Sequence, residues 1–130
     1  MTGRSTDSGA PVIDLETLEN LARDAGAEAM PSLLASFVRD CTKRETEIIA
    51  ATERKDLITL EAQSHALTSS AQTFGALTLA DLTRRIERSC QDGFAETALS
   101  QAADVPELAA AVRLEMTAQI NRFENDNPTN

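Results

Sequence analysis

The chain has no tryptophan and no tyrosine, and its only aromatics are four phenylalanines. A core made without them relies on Leu, Ile, Val, Ala and Met. That palette suits packed helices better than sheets, whose faces favour β-branched and aromatic residues. No segment alternates apolar and polar residues over strand length. The two cysteines, Cys41 and Cys90, are far apart and match no CxxC or zinc spacing. They read as small apolar residues in a reducing compartment. A single histidine excludes a multi-histidine metal site. No apolar run approaches the roughly 20 residues that a membrane span needs. Met1 to Ala10 lacks the apolar stretch of a secretion signal, so a cytoplasmic location is expected. There is no GxxxxGK[ST] loop for nucleotide phosphates and no nucleophile elbow. Basic residues are scarce: 12 Lys and Arg stand against 21 Asp and Glu, a net charge of −9. An acidic surface repels phosphate backbones and anionic lipid heads, so neither nucleic acid nor a membrane is an expected partner.

The 130 residues, 42 % of them hydrophobic, fit one domain able to bury a core without staples. Residues 1–11, rich in Gly, Ser, Thr and Pro, read as a disordered leader, and residues 125–130 as a flexible tail. Residues 12–124 between them read as one helical domain.

Within that domain the apolar periodicity is helical throughout. Asp14 is placed to cap a first helix, with Ile13 and Leu18 as a hydrophobic staple, and Gly26 ends it. A second, longer helix starts near Glu28, tolerates Pro31 in its first turn and ends near Lys55 and Asp56. In the third, Leu57, Leu60, Ser64, Leu67, Ala71 and Phe74 step by three and four, the seam of a helix in a bundle. Gly75 punctuates it. Thr78, with Asp81 three residues on, predicts a cap for a fourth helix that buries Leu79, Leu82 and Ile86 and stops near Gly93. Residues 94–103 are weakly helical. Asp104 and Glu107 suggest another cap, followed by a last helix presenting Leu108, Val112, Met116, Ile120 and Phe123. The expected fold is all-α: an up-and-down four-helix bundle with an additional short N-terminal helix.

His65 lies roughly 130° around the third helix from the seam, so it faces away from the core. Its stripe is expected to hold Ile58, Glu61, Thr68, Ser69 and Gln72. Histidine is the side chain that titrates near neutral pH, and its neutral form carries a nucleophilic nitrogen. Glu61, one turn earlier, is a candidate to accept a hydrogen bond from one ring nitrogen and direct the other outward.

Residues 65–76 read His-Ala-Leu-Thr-Ser-Ser-Ala-Gln-Thr-Phe-Gly-Ala. This resembles the active helix of histidine-containing phosphotransfer (HPt) domains. That family's pattern is a His, then Leu, Lys, Gly and Ser at the second to fifth following positions, with a Gly-Ala pair a helical turn later. His65, Leu67, Ser70, Gly75 and Ala76 match it, and the likeness extends more loosely from about Ile13 to Phe123. Thr68 stands at the family's Lys position and Ser69 at its Gly position. The resemblance implies that His65 is the phosphorylated nucleophile of a two-component phosphorelay, with Glu61, Thr68, Ser69 and Gln72 in support. It implies a phosphoryl carrier without kinase activity of its own. The partners would be response-regulator receiver domains and a hybrid histidine kinase. Ile58, Ala62, Ser69 and Gln72 are candidates to dock a receiver. The chain itself would need no metal or cofactor, Mg²⁺ being expected on the receiver, and a monomer is expected. Lys43, Arg44, Arg84, Arg85 and Arg88 are candidates for the charge that Thr68 lacks. Two other readings remain: a degenerate docking module that binds without phosphotransfer, and a helical adaptor in which His65 is incidental.

Overall fold

The computed structural model describes residues 11–126. Among the described residues six α-helices follow one another: α1 (Leu15–Ala25), α2 (Met30–Arg54), α3 (Leu57–Thr73), α4 (Leu77–Gln91), α5 (Ala95–Ala102) and α6 (Val105–Asn125). There is no strand among the described residues. The four long helices α2, α3, α4 and α6 close into a ring, each packed on two of the others. The fold is the expected all-α bundle. The expected leader lies outside the described residues except for Pro11. So does the expected tail from residue 127 onward, and Asn125 still belongs to α6.

The core is the one that the periodicity marks. Met30, Leu34, Phe37, Cys41, Ile48 and Ala51 of α2 are buried against Leu60, Leu67 and Ala71 of α3 and Val112, Met116 and Phe123 of α6. Burying each large aliphatic side chain stabilises the fold by about 1.5–3 kcal/mol. Phe37 and Phe74 stack with ring centroids 4.9 Å apart, tying the end of α3 to α2.

Two ends of α3 fix how it is presented. Asp56 caps its start, its carboxylate accepting from the Thr59 backbone N–H (3.1 Å) and hydroxyl (2.7 Å). Lys55 before it adopts a left-handed backbone that closes α2. At the other end, Gly75 has φ +81 and its carbonyl accepts the Asp14 N–H at 2.8 Å, which docks α1 against the α3–α4 turn. Asp14 caps α1 as expected, and Ile13 and Leu18 are both buried.

Three local expectations are corrected. Thr78 does not cap α4, because that helix already begins at Leu77, with Ala76 at the cap position and its N–H bonded back to Ala71. Asp81 instead pairs with Arg85 at 3.2 Å. Asp104 precedes α6 but makes no side-chain cap, since its backbone is already helical rather than extended. Residues 95–102 form a full helix, α5, which lays Ala98 and Ala102 into the core beside α4.

Candidate functional site

The neighbours of α3 divide its surface. Its core seam carries Leu60, Ser64, Leu67 and Ala71. On one flank α2 approaches: Arg44 donates to Gln63 (3.1 Å) and Ser70 donates to Asp40 (3.0 Å). On the opposite flank α4 runs antiparallel, back from the Gly75 turn. There the Thr68 and Thr83 hydroxyls meet at 2.7 Å, and His65 meets Glu87. His65 follows Ser64 by one position, or about 100° of helix turn, which brings it out at the solvent edge of the α3–α4 groove.

The His65 side chain is 69 % exposed, and Nδ1 lies 2.8 Å from Oε2 of Glu87, whose side chain is only 17 % exposed. A carboxylate accepts and never donates, so the hydrogen of this bond sits on Nδ1. In the neutral ring, Nε2 then keeps its lone pair. Gln91, one turn further along α4, donates to the same Glu87 oxygen at 3.3 Å and helps hold it. The arrangement positions one ring nitrogen and leaves the other free to attack an electrophile.

Two sequence expectations are corrected. The partner of the imidazole is Glu87 on α4 and not Glu61, although Glu61 stays close enough to raise, together with Glu87, the thiol pKa of Cys90, which burial raises most. Thr68 does not stand on the outward stripe. It is 8 % exposed, and its hydroxyl donates to the Ser64 carbonyl at 2.8 Å besides meeting Thr83. Its side chain lies in the α3–α4 groove, against Thr83. Ile58, Ala62, Ser69 and Gln72 are exposed on the same outward side of α3 as His65, with Ile58 two turns before it and 83 % exposed. The sequence signal for Glu87 lay in the hairpin. Counting equally outward from the Phe74–Ala76 turn sets His65 opposite about residue 85 of an antiparallel partner, and Glu87 is the nearest carboxylate to that position in the sequence.

The basic candidates separate just as clearly. Arg44 is held by Asp40 at 3.3 Å and by Gln63, on the flank of α3 away from His65. Lys43 belongs to the same helix. Arg85 is held by Asp81. Arg84 and Arg88 are exposed on α4 on either side of Glu87 in sequence. Among the described residues no cluster of three or more His, Cys, Asp or Glu side chains is arranged to hold a metal ion. No helix among them is long and apolar enough to cross a membrane.

A helical bundle with a histidine displayed in this way is the form of a histidine phosphotransfer domain, and comparison bears this out. The Hpt domain family model matches residues 32–125, and the chain belongs to that family. Among solved structures it is similar to histidine-containing phosphotransfer protein B from Pseudomonas aeruginosa PAO1. The TM-score is 0.81 at 25 % sequence identity, covering 88 % of this chain and 98 % of that one. No curated protein matches it. Proteins of this family are phosphoryl carriers that work with receiver domains and kinases in phosphorelays.

Proposed function

We propose that the chain is a cytoplasmic phosphoryl carrier, with no kinase activity of its own, that relays a phosphoryl group between receiver-domain aspartates through His65. The observation that carries this reading is the 2.8 Å contact of Nδ1 with Glu87 on a 69 % exposed ring, which leaves Nε2 turned outward. In the step, the Nε2 lone pair forms a bond to phosphorus in line with the breaking P–O bond of an aspartyl phosphate. The aspartate leaves as a carboxylate with the bonding electrons. The ring becomes a phosphorylated imidazolium, and its positive charge falls next to the Glu87 carboxylate through the Nδ1–H. Passing the group to a second aspartate reverses each change.

The chain's own contribution is a nucleophile held in position, so most transition-state charge falls to the partner. Mg²⁺ belongs on the receiver in this scheme, and this chain needs no cofactor. Docking uses the outward side of α3: Ile58 as an apolar anchor, with Ala62, Ser69 and Gln72 small or polar enough to let a partner close on the ring. The carrier acts as a monomer, which keeps that side free. The test is transfer of radiolabel from phosphorylated receiver domains. Label that is acid-labile and alkali-stable reports a phosphohistidine.

A further inference from the structure

A phosphoryl group on Nε2 of His65 would carry close to two negative charges into surroundings that already hold Glu87 at 2.8 Å from the ring and Glu61 one turn before it. The chain as a whole is at −9. Some nearby cation must offset this repulsion if the phosphorylated form is to persist. Thr68 cannot, being uncharged and turned into the groove toward Thr83.

We propose that Arg84 binds the phosphoryl oxygens on His65 from across the α3–α4 groove, an assignment that rests on the phosphoryl-carrier reading above. Three observations converge on it. Arg84 lies three residues before Glu87, one turn along the same face of α4, and directly follows Thr83, which touches α3 one turn beyond His65. It therefore stands beside the ring on the C-terminal side of α3. Its side chain is exposed, and among the described residues no carboxylate or carbonyl holds it. Three other arginines of α2 and α4 are committed: Arg85 to Asp81, Arg44 to Asp40 and Gln63, and Arg54 to Asp56. Finally, a guanidinium presents a planar fork that pairs with two phosphate oxygens at once and is charged at every physiological pH. Arg88 is also unpaired among the described residues, but it is turned about 100° around α4 from Glu87, against about 60° for Arg84. Arg84 is thus the nearer in direction.

The experiment loads the native chain, Arg84→Ala, Arg84→Lys, Arg88→Ala and His65→Gln with the small donor phosphoramidate, which needs no receiver. Phosphohistidine formation and its hydrolysis are followed by phosphorus NMR. Arg84→Ala should load about three- to tenfold more slowly than the native chain, the range expected for losing one exposed ion pair to a dianion. High salt should shrink that gap by screening. Arg84→Lys should recover much of the rate and Arg88→Ala should stay near native. Arg84 is exposed, so all variants should melt with the native chain. Native loading by Arg84→Ala, with label on His65, would overturn the role of Arg84 while leaving the carrier reading intact. Label that never forms on the native chain would overturn both.

Discussion

Nδ1 of His65 and Oε2 of Glu87 stand 2.8 Å apart, joining two helices through residues 22 positions apart in the chain. The contact fixes which ring nitrogen is free. Glu87→Gln can keep the hydrogen bond but not the charge that balances a phosphorylated imidazolium, whereas Glu87→Ala loses both. Phosphoryl transfer to His65 should therefore fall in the order native, Glu87→Gln, Glu87→Ala, with the last down about tenfold or more. Single-turnover transfer from a phosphorylated receiver checks this. Equal rates for all three would mean that the contact does not act in the reaction.

Thr68 is a packing residue in this fold, for its hydroxyl is shared between the Ser64 carbonyl and Thr83 inside the groove. Thr68→Val should cost about 1 kcal/mol of stability and leave the transfer rate near native. Thr68→Lys has to route an ammonium out past Thr83 and should be the less stable of the two. Urea unfolding alongside transfer assays separates the effects. A large loss of transfer in a folded Thr68→Val would return this side chain to the reacting group.

Gly75 and Gly93 offer a matched pair. Both have positive φ, +81 and +80, but a Cβ at Gly75 would lie 2.9 Å from the Asp14 carbonyl oxygen, and one at Gly93 would meet nothing within 4 Å. Gly93→Ala should cost only the left-handed backbone penalty, about 1–2 kcal/mol. Gly75→Ala should cost a further 1–3 kcal/mol or so, because it also pushes α1 away from the α3–α4 turn. Denaturation midpoints of the two variants measure the difference directly, and equal costs would contradict the docking of α1 at Gly75.

Burial pushes the Cys41 thiol up to about 11, against a smaller downward pull from Arg113. Cys90 is raised as well, mainly by its partial burial and then by Glu61 and Glu87. The thiolate is the reactive form. At pH 8, a neutral alkylating reagent should modify Cys90 more slowly than free cysteine and leave Cys41 untouched until the protein unfolds. Rapid labelling of Cys41 in the folded chain would contradict the packing of α2.

The capping carboxylate of Asp56 is held below its ordinary value of 3.8, first by the Thr59 hydroxyl and backbone N–H. A lowered folded pKa contributes stability above the unfolded value and loses it as pH falls through the folded one. The melting advantage of the native chain over Asp56→Asn should be constant from pH 7 to about 5 and shrink below about 4. An advantage that persisted at pH 2 would show that the charge is not what caps α3.

Much of this was legible in the residues. Leu60, Ser64, Leu67 and Ala71 step along one seam, and all four are buried. The outward display of His65 follows from the same count. Glu87 and Thr68 were harder to place, because each depends on how α4 lies against α3. Helix periodicity gives the direction of a side chain around its own axis, not the neighbour that meets it. Thr68 lies on the border of the seam, and the approach of α4 turned a half-exposed position into a buried one. Residues 95–102 misled for a different reason: α5 is only two turns long, with few apolar positions to show a period, and packing against α4 supplies what its own sequence lacks.

Whether His65 accepts the phosphoryl group is decided by comparing the native chain with His65→Gln as acceptors from radiolabelled, phosphorylated receiver domains. Acid-labile, alkali-stable label is expected on the native chain and none on His65→Gln, with the same melting temperature for both, since the side chain is exposed. Label that persists on His65→Gln, or a native chain that binds receivers but never takes label, would contradict this role of His65, the latter leaving a docking module in place of a carrier.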